Sequence, residues 1–400
     1  MNEIEGGITA ALGYQAAGVH CGIKLGKKDL CLIVSDCPAA TAGMFTQNKL
    51  AAAPVVFDRV QLKKSHYMSA IVANSGIANA CTGERGLQDC QTIAAKAAAV
   101  LSIPSKHVLV ASTGVIGPYL LIDKITQGIE LAASHLSRAN HLDAEIAIMT
   151  TDTRPKEYAL EVESEAGTFR IGGMAKGSGM IKPDMATMLA FLTTDAKIAP
   201  EPLEIALQQA VRQSFNRISV DNDTSTNDTV LLLANGKAGG QEIVPGSGAY
   251  TQFCDALNAV CIHLAKMLVK DGEGTTKLIE IQVQNAASPE DALTGARAIA
   301  DSYLVKTAIH GEDPNWGRIT AALGYAGIEL VPEYITLAIN GLPILARNFQ
   351  LVSEKVNTRK ALAPDEIVIT VDLGVGSHAC TVWTSDLSCE YVDINAKYTT

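Results

Sequence analysis

The residue of this 400-residue chain best placed for chemistry is Thr187. Upstream, Gly177 and Gly179 allow backbone angles that other residues avoid, and Pro183 fixes its own φ. The segment therefore approaches residue 187 through a sharp bend. Downstream, Met188 to Leu192 is an apolar run that reads as a buried strand. A hydroxyl at such a junction is held by a rigid element yet faces open space, the placement a nucleophile needs. The bland alternative is a β-forming threonine whose hydroxyl is merely satisfied.

The elements that must position this segment alternate along the chain. Leu30 to Val34, Ala70 to Ala73 and Val108 to Ala111 read as buried strands, and Gly86 to Leu101 and Pro202 to Phe215 as helices. In the second helix Leu203, Ala206, Leu207, Ala210, Val211 and Phe215 recur at three- and four-residue spacing, which marks one buried face. Glu163 to Arg170, centred on Ala166 and Gly167, reads as a hairpin. After Gly274 the pattern changes to alternating strands, Leu278 to Gln284, Ile335 to Ile339, Ile367 to Leu373 and Cys380 to Trp383. The expected organisation is an α/β core over 1–280 and a smaller α+β domain over 281–400, with no repeat or linker between them.

Composition narrows the class. Apolar residues make up 48% of the chain and aromatics only 5%, so the core must be built from Ala, Val, Ile and Leu. A net charge of −10, without a basic block interleaved with aromatics, excludes nucleic acid as an expected partner. The nine cysteines are scattered, without CxxC pairs, and read as reduced core residues of a cytoplasmic protein. The start, Met1 to Gly7, has neither the basic nor the apolar region of a signal peptide, and no run reads as a membrane span. Asp221-Asn222-Asp223 resembles the opening of a calcium loop, but Thr226 and Leu232 stand where glycine and glutamate would be required. The glycines at 172, 173, 177 and 179 lack the GK[ST] ending of a phosphate loop. No metal and no bound cofactor are expected, and His310, beside a family motif, reads as structural or as a support behind the site residues.

The stretch Gly172 to Ala196, GGMAKGSGMIKPDMATMLAFLTTDA, closely resembles the self-cleavage region of the ornithine acetyltransferase (glutamate N-acetyltransferase) family of arginine biosynthesis. The resemblance extends to Thr113-Gly114-Val115-Ile116-Gly117, Met149-Thr150-Thr151-Asp152-Thr153, Ser219 to Thr224, Asp313 to Arg318 and Asn395 to Thr400. It thus runs from near residue 40 to the last residue. It implies a layered α/β sandwich related to aminopeptidases with an amino-terminal serine, and a C-terminal tail that returns to the active site.

What the resemblance implies chemically is self-cleavage between Ala186 and Thr187 into chains 1–186 and 187–400. The Thr187 hydroxyl would attack the preceding carbonyl, the acyl group would move from nitrogen to oxygen, and water would cleave the ester. The freed α-amine, with an ordinary pKa of about 8, then serves as base for its own hydroxyl. The acetyl group of N-acetyl-L-ornithine would pass to Thr187 and on to L-glutamate. Thr113 and Gly114 match the family's oxyanion pair, while Thr150, Lys176, Thr187, Glu273, Asn395 and Thr400 match its substrate contacts. Lys176 offers a cation for an α-carboxylate, and Glu273, between Gly272 and Gly274, an anion for the terminal ammonium. The motifs do not separate members that also use acetyl-CoA from those that do not. Pairing of two chains of each kind into a heterotetramer is the family's habit. Two alternatives stay open at this point. One is an N-terminal-nucleophile amidohydrolase or aminopeptidase, in which water takes the acyl group. The other is an uncleaved relative without catalysis.

Overall fold

The computed structural model describes residues 1–182 and 188–397. The chain divides into two compact units, Met1–Asn216 with Asp223–Leu268, and Arg217–Asn222 with Val269–Thr400. The expected division near 280 corresponds to the start of the strand Leu278–Ala286, whereas the units part at 268/269, inside the helix Gly248–Lys270. A boundary within a continuous helix has no glycine, proline or change of composition to announce it.

Among the described residues, the first unit is built on a nine-stranded sheet. From one edge the order is Asn2–Glu3, Glu157–Ser164, Gly167–Lys176, Leu189–Thr194, Thr229–Ala234, Leu30–Phe45, Tyr67–Ile77 and Val108–Val115; Tyr14–Val19 pairs with Leu30–Phe45 off this path. Leu189–Thr194 with Thr229–Ala234, and Tyr67–Ile77 with Val108–Val115, are parallel pairs in an otherwise antiparallel arrangement. Side chains alternate between two cores. Leu30, Leu32, Ala70, Val72, Val108 and Val110 pack with Cys90, Ile93, Ala94 and Ala97 of the helix Gly83–Leu101 and Ile125 and Ile129 of the helix Ile122–Ser134. Cys31, Ile33, Ile71, Ala73, Leu109 and Ala111 pack on the other face with Ala144, Ala147 and Ile148 of the helix His141–Ile148. Burial on both faces is why these strands read as continuous apolar runs, and each buried branched side chain contributes roughly 1.5–3 kcal/mol. Gly18 lets one helix approach closely, since a Cβ there would lie 1.7 Å from the Asp143 carbonyl oxygen. Helices on both faces of the sheet give the layered α/β arrangement that the family resemblance implies.

The strand Leu30–Phe45 is longer than the expected Leu30 to Val34. Ser35, Asp36, Cys37 and Pro38 break the apolar pattern, and the chain accommodates them as a register shift between Val34 and Ala39 without leaving the sheet. The helix Gly248–Lys270 is by length and composition apolar enough to cross a membrane. Its residues Phe253, Ala256, Leu257, Val260, Cys261, Leu264 and Leu268 are nevertheless buried in the protein interior.

Among the described residues, the second unit carries a seven-stranded sheet, ordered Gln350–Leu351, Leu342–Ala346, Thr336–Ile339, Glu366–Asp372, Leu278–Ala286, His378–Ser385 and Ile218–Ser219. In Glu366–Asp372 every second residue is buried, so one face packs on the helices Pro289–Ala300, Tyr303–His310 and Trp316–Gly324. His310 Nδ1 lies 2.8 Å from Asp386, whose carboxylate also accepts the backbone N–H groups of Thr276 and Lys277, a structural placement. All nine cysteines are free, but Cys81 and Cys389 are exposed, so they are not uniformly core residues.

Candidate active site

Thr113 and Gly114 end the strand Val108–Val115, where it runs beside Tyr67–Ile77 with Gly114 facing Gly76. The two backbones come so close that a Cβ at Gly114 would lie 2.2 Å from the Gly76 carbonyl carbon, and Gly114 has φ +130°. Only glycine fits both demands. The turn is braced from outside: Asn227 donates to the carbonyls of Ala78 and Ser112, at 2.6 and 2.8 Å, and Ser112 Oγ donates to Asn74 at 2.7 Å.

Lys176 closes the strand Gly167–Lys176 and is 2% exposed. Its Nζ donates to Thr150 Oγ1 at 3.0 Å and Thr113 Oγ1 at 3.3 Å, and stands 3.9 Å from Asp152 Oδ2. The structure thus brings together three of the expected site residues, Thr113, Thr150 and Lys176, with Gly114 adjoining.

Asp152 ties these segments to one another. It accepts the Thr150 N–H at 2.9 Å, the Gly177 N–H at 2.6 Å and the Lys156 ammonium at 2.7 Å. Burial pushes its carboxyl up, but the Lys176 and Lys156 ammoniums and these hydrogen bonds outweigh it and hold the group well below the usual range. Gly177 has φ +150°, so the turn that presents its N–H to Asp152 favours glycine. Beside it the Thr151 and Ser178 hydroxyls are 2.6 Å apart.

Thr187 and Ala186 lie outside the described residues, as does Thr400. The residue after Thr187 is fixed: Met188 N–H donates to Asp228 Oδ1 at 3.0 Å, next to the parallel pair Leu189 and Thr229. Asp228 is fully buried, and burial pushes its carboxyl well above the ordinary value, against the Met188 N–H and the Lys176 charge.

In the second unit Glu273, 9% exposed, accepts a hydrogen bond from Asn395 Nδ2 at 2.8 Å. The helix Cys389–Ala396 sits hard against this loop: a Cβ at Gly274, φ +67°, would lie 2.5 Å from the Tyr391 nitrogen, and Ser388 Oγ donates to the Gly274 carbonyl. The structure therefore pairs two further expected residues, Glu273 and Asn395.

Asp152, Asp228 and Lys24 were not foreseen as site residues. Asp152 had a signal in its motif, whereas Asp228 follows Asn227 without any pattern. Lys24, whose Nζ donates to the Met149 carbonyl at 2.9 Å, looks in sequence like a surface lysine of a basic loop. Among the described residues, no group of His, Cys, Asp or Glu is placed to hold a metal ion.

The ArgJ family model matches residues 15–400. The chain is 48% identical over 403 residues to the arginine biosynthesis bifunctional protein ArgJ of Symbiobacterium thermophilum, covering 100% of both chains. It is 47% identical over 414 residues to the protein of the same name from Thermosynechococcus vestitus, covering 100% of this chain and 99% of the other. The crystal structure of the arginine biosynthesis bifunctional protein from Bacillus halodurans is similar with a TM-score of 0.50 and 41% identity, over 52% of this chain and 97% of that one. With a match along nearly its whole length and the threonine, lysine and glycine cluster in place, the chain belongs to the ArgJ family.

Proposed function

We propose that this chain cuts itself between Ala186 and Thr187 and then carries acetyl groups on the Thr187 hydroxyl, from N-acetyl-L-ornithine to L-glutamate. As an ArgJ member it is an acyltransferase of arginine biosynthesis, an ornithine acetyltransferase and glutamate N-acetyltransferase. The observation that carries the residue-level reading is the junction of Thr113, Thr150 and Lys176, 63 and 26 positions apart in sequence, around one buried ammonium.

Each half-reaction passes through a tetrahedral oxyanion. The Thr113 hydroxyl and the Gly114 N–H meet that charge, and loss of one such donor typically costs about two to three orders of magnitude in turnover. The freed Thr187 amine takes the proton from its own hydroxyl as the acyl carbon is attacked and returns it to the leaving amine. Lys176 holds the α-carboxylate common to both substrates. Glu273, oriented by Asn395, takes the terminal ammonium of ornithine, and Thr400 belongs to the same substrate-binding set. Acetyl-CoA serves as a second donor to Thr187, in keeping with the bifunctional name of the relatives. The working particle is a cytoplasmic heterotetramer of two 1–186 and two 187–400 chains.

Thr187→Ala tests the core of this reading. It should yield one full-length band on a denaturing gel and no acetyl transfer, because one hydroxyl performs both attacks. Two fragments from that variant would sink the assignment. Thr187→Ser should retain part of both activities, since the primary hydroxyl keeps the chemistry and loses only the methyl that restricts its rotamer.

A further inference from the structure

We propose that Lys24 is the receptor for the second carboxylate of the acceptor, the side-chain carboxylate of glutamate. The inference rests on the acetyl-transfer reading above and names a substrate contact within it.

Lys24 lies in the loop between the strands Tyr14–Val19 and Leu30–Phe45, and that loop is locked. The buried Asp29 carboxylate accepts four consecutive backbone N–H groups, from Cys21 at 2.6 Å, Gly22 at 3.1 Å, Ile23 at 2.7 Å and Lys24 at 2.9 Å. From this anchor the Lys24 side chain runs over Gly76, where a Cβ would lie 3.0 Å from Lys24 Cγ. Gly76 is the residue that faces Gly114. The ammonium then reaches the Met149 carbonyl, one residue before Thr150, whose hydroxyl accepts from Lys176. Two lysines from distant segments thus converge on consecutive residues beside the proposed oxyanion pair.

Their hydrogen bonding differs. Among the described residues Met149 O is the one hydrogen-bond acceptor of Lys24 Nζ, which leaves two of its three N–H bonds for another oxygen. The side chain is half-buried, and burial, with repulsion from Lys27 and Lys176 opposing Asp29 and Asp152, lowers its pKa to about 8. A fixed, partly dry ammonium with unused donors suits an anionic ligand group. The two substrates differ in that respect. N-acetylornithine brings one carboxylate and a terminal cation, whereas glutamate brings two carboxylates. Lys176 serves the carboxylate they share, and Lys24, whose ammonium sits at the Met149 carbonyl one residue before Thr150, is placed to take the one that only glutamate has.

Lys24→Met and Lys24→Arg, both in processed protein, are compared with the unsubstituted protein. Binding of glutamate and of glutamine, which lacks the second charge, is measured by titration calorimetry, and acetyl transfer to each is measured across acceptor concentrations. Acetylation of Thr187 by N-acetylornithine is followed separately by mass spectrometry. Lys24→Met should weaken glutamate about tenfold or more, the usual scale for one charge-assisted hydrogen bond, with glutamine and N-acetylornithine affected far less. Lys24→Arg, which folds with the charge kept, should preserve the preference for glutamate over glutamine. An unchanged preference in Lys24→Met, or equal losses for all three ligands, would overturn the proposal and leave Lys24 as a strut for Met149. Should Lys24→Met not fold, loss of the glutamate preference in Lys24→Arg would overturn it equally. If the unsubstituted protein never carries acetyl on Thr187, the transfer reading itself fails, an outcome visible apart from any Lys24 variant.

Discussion

Lys176 and Lys306 are both almost completely buried, yet the two regions use their ammoniums differently. Lys306, in the second unit, donates to Thr384 Oγ1 at 2.8 Å, to Ser385 Oγ at 3.2 Å and to the Ser385 carbonyl at 2.5 Å. Three donors meet three oxygens, all from two adjacent residues of one strand, and burial lowers the amine to about 8 against the pull of Asp301, Asp386 and Asp221. That lysine is saturated by its own fold. Lys176 instead touches the hydroxyls of Thr113 and Thr150 and stands 3.9 Å from the Asp152 carboxylate, so its partners come from two distant segments and not from adjacent residues of one strand. What separates the two lysines is therefore where their partners come from, one strand or segments far apart in sequence, and not burial itself.

The sharpest way to break this contrast is Lys176→Met. It should lower kcat/KM for N-acetylornithine and glutamate alike by roughly two to three orders of magnitude, the scale of a desolvated charge pair, with a loss of Tm limited by Lys156, which still pairs with Asp152. Steady-state assays beside a melting curve would decide, and a large loss of Tm with normal kinetics would make Lys176 another Lys306. The reciprocal change, Lys306→Ala, should cost about 2–4 kcal/mol of stability through the cavity and the orphaned Ser385 and Thr384 oxygens. Its kcat/KM per folded molecule should stay close to normal, as chemical denaturation paired with assays at low temperature would reveal.

A smaller effect is expected at Glu273. Glu273→Gln should weaken N-acetylornithine about tenfold relative to an N-acetyl donor without a terminal ammonium, and should leave self-cleavage intact. Equal losses for charged and uncharged donors would remove the ammonium-binding role. Smallest and most gradual is the pH response of Lys306. Its folded pKa, about 8, lies below the ordinary 10.5, so between these values the unfolded chain binds more protons than the folded one. The stability advantage of the unsubstituted protein over Lys306→Ala should therefore widen as pH rises through that window, by about 3 kcal/mol at most. A flat difference would mean that the amine titrates normally.

The sequence disclosed the parts of this molecule whose cause is local. Val108 to Ala111 and Ala70 to Ala73 read as strands because both of their faces are buried, and Pro202 to Phe215 as a helix because its apolar residues recur on one face; the observed helix is Pro200–Gln213, with Phe215 in the turn after it. Thr113, Thr150 and Lys176 were legible only through a family pattern, since no spacing rule links positions so far apart. Asp152 stands in a family motif that gives its carboxylate no role of its own, and Asp228 has no pattern around it. Each is an ordinary acidic residue until the fold delivers backbone N–H groups to it, from Gly177 and Thr150 in one case and Met188 in the other. Leu30–Phe45 was cut short at Val34 for the converse reason. Pro38 forbids one ladder bond locally, but neighbouring strands on both sides hold the extended chain through the bulge.

The place of the two central strands in the nine-stranded sheet decides what a cut at 186/187 would leave. Leu189–Thr194 and Thr229–Ala234 come from the piece that begins at 187; Gly167–Lys176 on one side and Leu30–Phe45 on the other come from the piece that ends at 186. The younger piece is thus a wedge driven between two parts of the older one, stitched along both flanks by main-chain ladders. Such halves would migrate apart in detergent yet co-purify under any condition that leaves the sheet intact, and neither could finish its interior if made alone. Severing the chain would release two ends without releasing two proteins.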